Sequence, residues 1–194
     1  MKATCRFDLA RRAAALVALV VWWGAAGSAW SAAYRILDLG TLGGGMSYAS
    51  GINDSGQVVG CAWTASGDLH AFRTAPNQPI DPATDDLGTF GGGVSLAFGI
   101  NDSGQVVGQA WNEFGYQVFR TAPNQPINPA TDDLGGTLGG GWKIAYGIND
   151  SGQVVGEAGG HAFRTGPNQP INPATDDVGS ALNVYGINNS GQVV

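Results

Sequence analysis

Charge is scarce in this chain, and lysine, cysteine and histidine are scarcer still. Of 194 residues 12% are charged, and there are two cysteines and two histidines. Beyond residue 33 a single cysteine, Cys61, and a single lysine, Lys143, remain. One thiol closes no internal disulfide, so no disulfide framework is expected, and Cys61 reads as a small packing hydrophobe. Past residue 33 five bases face 14 acids. Nucleic-acid affinity rests on Lys and Arg at phosphates, so that balance argues against a nucleic-acid partner. No apolar stripe at helical spacing follows residue 34, and no segment after the first 34 residues is apolar enough to cross a bilayer. Phosphate-loop and calcium-loop signatures are missing too: no glycine triplet is followed by GK[ST], and NDSG lacks the D-x-D-x-D-G layout.

What the chain does have is glycine, 32 of them, and repetition. GINDSGQVVG starts at Gly51, Gly99 and Gly147, and GINNSGQVV starts at Gly186, so the periods are 48, 48 and 39. HAFR, QVFR and HAFR end at Arg73, Arg120 and Arg164. NQPIDPATDDLG, NQPINPATDDLG and NQPINPATDDVG start at Asn77, Asn124 and Asn168, and TLGGG or TFGGG starts at Thr41, Thr89 and Thr137. A fixed period of this size means a repeat architecture. The shorter last period falls in Gly-rich and polar stretches, where loops absorb length changes.

Each unit reads as about four short strands, rich in Val, Ile and aromatics and bounded by Gly, Asn, Asp and Pro. In the second full unit these are residues 86–90, 96–100, 105–111 and 117–121. Between two of them, Asn53, Asp54 and Gly56 form a hairpin turn, and so do Asn101, Asp102 and Gly104, Asn149, Asp150 and Gly152, and Asn188, Asn189 and Gly191. Asn and Asp close local hydrogen bonds and Gly supplies positive φ, so these twelve residues read as structural. The strand from Gln57 to Trp63 is apolar or small on both faces, as a sheet covered on both sides requires. The expected fold is all-β: tandem four-stranded antiparallel repeats in a partial β-propeller-like array, with a β-solenoid as the alternative.

The first 33 residues are of another kind. Lys2, Arg6, Arg11 and Arg12 precede an apolar run from Ala13 to Trp23 and then small residues. This is the layout of a secretory signal peptide over 1–33, with cleavage after Ala33 or Ala29 and the repeat domain over 34–194. A secreted, extracellular protein is expected; a periplasmic protein or one anchored by an uncleaved leader is the alternative.

The ordered motifs DLGTLGG, GINDSGQVVG and HAF, over about Tyr34–Val194, resemble the HAF family of bacterial extracellular repeat proteins. Gln117-Val118-Phe119 departs from HAF, and the stretch after Asp177 lacks TLGGG. The resemblance implies a secreted bacterial protein of all-β structure and implies no activity or ligand.

Candidate chemistry is thin. His70 and His161 are equivalent, with no further ligand at zinc spacing, and read as strand-end packing. Asp85-Asp86, Asp132-Asp133 and Asp176-Asp177 read as turn residues, because adjacent strand residues point to opposite faces. The N-x-S sequons at Asn53, Asn101, Asn149 and Asn188 read as incidental to the turns. Trp63 and Trp111 are equivalent; they could stack on sugar rings, but core packing is the commoner role and the favoured reading. The polar residues that break the repeat are few: Asp68, Glu113, Lys143 and Glu157. The expectation is therefore a non-catalytic scaffold, a surface binding or adhesion module, with no catalytic residue, metal or cofactor. The alternative is a fragment of a secreted carbohydrate-binding or carbohydrate-active propeller. Partners would be a carbohydrate or a cell-surface component. Three units and a partial fourth close no ring of ~4–8 blades, so the expectation is also a fragment of a longer gene or self-association through open strand edges.

Overall fold

The computed structural model describes residues 36–136, 138–139, 141–180 and 183–194. The expected leader, 1–33, and Cys5 lie outside the described residues. The described chain holds ten strands in three antiparallel sheets and no helix, and none of the sheets closes into a barrel. The first sheet is β1 (Gly43–Ile52), β2 (Val58–Thr64) and β3 (Leu69–Arg73). The second is β4 (Ser95–Ile100), β5 (Val106–Asn112) and β6 (Gly115–Arg120). The third runs β7 (Lys143–Ile148), β8 (Val154–Ala158), β9 (His161–Arg164) and β10 (Asp177–Ser180), each strand paired with the next.

One expected strand belongs to a different sheet from its sequence neighbours. The repeat groups residues 86–90 with 96–100 in one unit. Instead Asp86 bridges Phe72 on β3, with Arg73 N donating to Asp85 O (3.0 Å) and Leu87 N to Ala71 O (2.9 Å). Asp133 bridges Phe119 in the same way, and in the third sheet the segment lengthens into β10. The chain therefore finishes one sheet with its DLG segment and crosses to the next through the glycine stretch. In the first two sheets this fourth position is a single bridge rather than a strand.

The Val-Val pair in each QVV motif explains how the sheets stack. Neighbouring strand residues point to opposite faces. Val106 packs with Val59, Leu87, Ala97 and Phe119, whereas Val107 packs with Ala145, Val154, Ala158 and Phe163. One valine thus enters the layer shared with the preceding sheet and the other the layer shared with the following one. Four apolar layers result. The first, of Leu42, Ala62, Phe72 and Ile80, lies on the outer face of the first sheet. The last joins Val155 and Ala162 to Val184 and the half-buried Ile187 and Val193 of the final hairpin. Phe72, Phe119 and Phe163 are fully buried. At about 25 cal/mol per Å2 of apolar surface, burying a Phe side chain contributes ~1.5–3 kcal/mol, so these layers supply the main driving force.

Close approach demands glycine at one place and favours it at another. A Cβ on Gly108 would overlap the carbonyl oxygen of Leu96 on the paired strand. Gly51, Gly99 and Gly147 sit where the first strand of each sheet shifts register, and there successive sheets nearly touch. A Cβ on Gly99 would lie 3.2 Å from Tyr146 O and 3.4 Å from the Cα of Gly147.

Gly108→Ala is expected to destabilise the chain by about 2 kcal/mol or more, because the obstacle is backbone that must move. Urea unfolding followed by tryptophan fluorescence measures this, and an unchanged midpoint would contradict the close approach.

Candidate functional site

The hairpin turns do more than reverse the chain. Asn101 Oδ1 accepts from Gln105 N (3.0 Å) and Ser103 Oγ (2.8 Å), while Nδ2 donates to Gln105 Oε1 (2.9 Å) and to Asn149 O of the next unit (3.0 Å). An amide has two donor hydrogens and two acceptor lone pairs, and all four are used. Asn53 bonds Asn101 O (3.1 Å), and Asn149 bonds Asn188 O (3.1 Å). Beside this column, Asp54 N donates to Asp102 Oδ1, Asp102 N to Asp150 Oδ1 and Asp150 N to Asn189 Oδ1, at 2.9–3.0 Å. Gly56, Gly104, Gly152 and Gly191 hold φ between 76° and 82°, which closes each turn. The eight Asn and Asp positions of the turns therefore form one continuous ladder along the stack, in which Asn53, Asn101 and Asn149 could not be Asp because a carboxylate cannot donate.

Two further side chains reinforce the first two steps and an arginine reinforces the third. Gln57 Nε2 donates to Asn124 Oδ1 (3.0 Å) and Gln105 Nε2 to Asn168 Oδ1 (3.1 Å). Arg73 Nη1 reaches Gly104 O and Gln125 O, Arg120 Nη1 reaches Gly152 O and Gln169 O, and Arg164 Nη1 reaches Gly191 O. Burial lowers the pKa of Arg73 and Arg120 from the ordinary arginine value, and Asp85 and Asp132 oppose that shift. Asn77, Asn124 and Asn168 adopt left-handed backbone (φ 53–57°), a conformation asparagine tolerates better than most residues.

The structure gives the histidines a partner. His70 Nδ1 lies 2.9 Å from Asp86 Oδ2, and His161 Nδ1 lies 3.0 Å from Asp177 Oδ2. The constant separation of 16 residues is the sequence signal for this pairing. The first aspartate of each pair plays a different part. Asp85, Asp132 and Asp176 are buried and accept from the backbone N of Asp81, Asn128 and Asn172 at 2.8 Å. No group of three or more His, Cys, Asp or Glu suited to a metal ion occurs among the described residues. Asp68 is tied into its own hairpin loop through Ser66 Oγ (2.9 Å). Glu157 sits mid-strand on β8, where it and Tyr185 add to the burial that raises the pKa of Tyr146. Glu113 stands in the β5–β6 loop. Gln109, the counterpart of Cys61 and Glu157, is buried, and its Oε1 has no partner among the described residues.

Several residues that depart from the repeat meet at one edge of the stack. Trp111 on β5 stacks on Tyr116 of β6, with centroids 5.2 Å apart and planes 9° from parallel. Tyr116 stacks in turn on Trp142, at 5.7 Å and 20°. These rings are offset plates, the favoured aromatic geometry. Lys143 Nζ donates to Gln117 Oε1 at 2.9 Å. Phe114, Tyr116, Gln117, Trp142 and Lys143 line a cleft of about 370 Å3. Phe114 is 81% exposed, Trp142 70% and Trp111 43%. Repeat position pairs Trp111 with Trp63 and sets Trp142 apart. The grouping is hidden in the sequence because the partners come from neighbouring sheets. The chain matches no family model, no curated protein and no solved structure.

Two predictions test these assignments. Asn101→Ala removes a fully used amide from the buried ladder and is expected to cost about 2–4 kcal/mol in urea unfolding. Asn188→Ala, at an exposed turn, is expected to cost less than about 1 kcal/mol, and equal costs would contradict the ladder. Burial also pushes the Cys61 thiol up from its ordinary pKa, which depletes the reactive thiolate. In a Cys5→Ser background, alkylation of Cys61 at pH 8 is expected to be at least about tenfold slower in the native protein than in denaturant.

Proposed function

We propose that this chain is a secreted, non-catalytic repeat scaffold that presents a surface-binding cleft, with its sheets stacked as successive blades of a propeller-like array. The observation that carries this reading is the division of work among the polar side chains. Those that recur from unit to unit, Asn, Asp, Gln, Arg and Thr, are committed to holding turns and adjacent sheets together. The buried Thr74, Thr121 and Thr165, for example, accept from the backbone N of Val58, Val106 and Val154 at 2.9–3.0 Å. Of the polar residues that break the repeat, Lys143 lines the cleft with Phe114 and Trp142, whereas Asp68 and Glu157 stand apart from it. Recurrent bonds build a scaffold, and a local exception to the repeat gives it specificity.

Antiparallel meanders of up to four strands, covered on both faces and stacked through their first strands, favour the propeller-like arrangement over a solenoid. The basic and apolar first 33 residues support export, and the HAF-like motifs support the same extracellular setting. A carbohydrate-active reading would give Glu113 and Glu157 catalytic roles. Against it, the two belong to different sheets, one in a hairpin loop and the other mid-strand beside Tyr146.

Incubation of the purified chain with a panel of soluble and insoluble glycans, with products read by chromatography, is expected to give no turnover. Turnover that disappears with Glu113→Gln or Glu157→Gln would overturn the scaffold reading. Self-association through sheet edges would appear in light scattering as a mass that rises with concentration.

A further inference from the structure

We propose that the cleft between Phe114 and Trp142 binds a neutral polysaccharide, one pyranose ring lying against the aromatic plates; this rests on reading the chain as a binding scaffold. Three observations point to that class of ligand. The first is exposure against cost. Phe114 and Trp142 hold 81% and 70% of their surface in water, whereas Phe72, Phe119 and Phe163 of the neighbouring layers are fully buried. Large apolar rings held on a solvent-facing edge are the usual mark of a binding surface.

The second is how the rings are fixed. Trp111, Tyr116 and Trp142 brace one another as offset plates across two sheets. Their orientation is therefore set before any ligand arrives, which lowers the entropy cost of binding. A rigid flat ring suits a ligand that is itself rigid and flat-sided. A pyranose presents one face of C–H groups, which lie against the negative face of an aromatic ring, and rims it with hydroxyls. Here the polar groups at hand for such hydroxyls are the amide of Gln117 and the ammonium of Lys143, already joined at 2.9 Å. Ligand sites combine apolar walls with a few placed polar groups in this way.

The third is charge, which narrows the class. The chain past residue 33 carries five bases against 14 acids, and Lys143 is its one lysine. A polyanion would meet a net repulsion from the acidic excess, and a cationic ligand would meet the ammonium of Lys143 within the cleft itself. A neutral glycan escapes both. The site also lies on the second and third units alone, where QVF replaces HAF: Gln117 stands where His70 and His161 bind their aspartates. Replacing histidine by glutamine there leaves an amide that receives Lys143 instead of a His–Asp pair.

The test titrates the full chain with three neutral oligosaccharides, cellohexaose, mannohexaose and xylohexaose, and separately with dextran sulfate as a polyanion, followed by tryptophan fluorescence and calorimetry. Saturable binding of at least one is expected, weakened about tenfold or more by Trp142→Ala and by Phe114→Ala. Phe114 is 81% exposed, so Phe114→Ala should keep the wild-type melting temperature, while Trp142→Ala loses its stack on Tyr116 and should remain folded by circular dichroism. Tyr48→Ala, which removes an exposed aromatic of the first sheet (56%), should bind as the wild type does. No saturable binding of any of the three, binding of dextran sulfate alone, or an affinity unchanged in both cleft variants would overturn the proposal. Cleavage of a bound oligosaccharide would support the site while overturning the non-catalytic reading, so the two failures are distinguishable.

Discussion

A single asparagine side chain, repeated at each turn, is what the stack depends on. Asn53, Asn101 and Asn149 each close their own hairpin with one part of the amide and grip the next hairpin with the rest. Local and tertiary structure therefore form through the same group. A turn that is correctly closed is also correctly set to receive its neighbour. Because each such amide is largely withdrawn from water, leaving one of its atoms unpaired would carry a desolvation penalty of about 1–3 kcal/mol. The register between successive sheets is thereby specified more sharply than apolar contact alone could do, since hydrophobic burial is non-directional.

The other recurrent features follow from that constraint. Sheets joined at their turns must lie face to face, so both faces of each strand must be apolar or small. The Val-Val pair meets this by sending one side chain into each adjoining layer. Where first strands of successive sheets approach, a side chain would be crowded and glycine is favoured, as at Gly99 against Gly147. Arg73 and Arg120 then span the same junction by donating to backbone carbonyls rather than to carboxylates. Half-buried guanidinium groups satisfied in this way tie each unit to the one that follows.

Much of this is legible in the sequence. The twelve turn residues, the strand–turn–strand reading of GINDSGQVVG and the two-faced apolar strand follow from local rules. Short-range chemistry governs them: a turn's φ angles and a strand's alternation depend on residues within a few positions. Local rules account for Asn and Asp by the turn alone, however, and miss that their remaining hydrogen-bonding capacity points along the stack. They place residues 86–90 with the strands that follow, because sequence adjacency is a good guide only until a chain crosses between sheets. They also separate Trp142 from Trp111, which lies 31 positions earlier.

By itself, then, the sequence determined the all-β character, the repeat, its period and the position of the recurrent Asn-Asp-Ser-Gly turns. Each of these is set by composition and by interactions a few residues long. Tertiary structure decided the rest: which sheet each DLG segment joins, where the ladder runs, which carboxylate meets each histidine and which aromatics share a cleft. Those outcomes depend on contacts between units up to 67 positions apart, as between Gln57 and Asn124, and no local pattern encodes how one unit sits on the next.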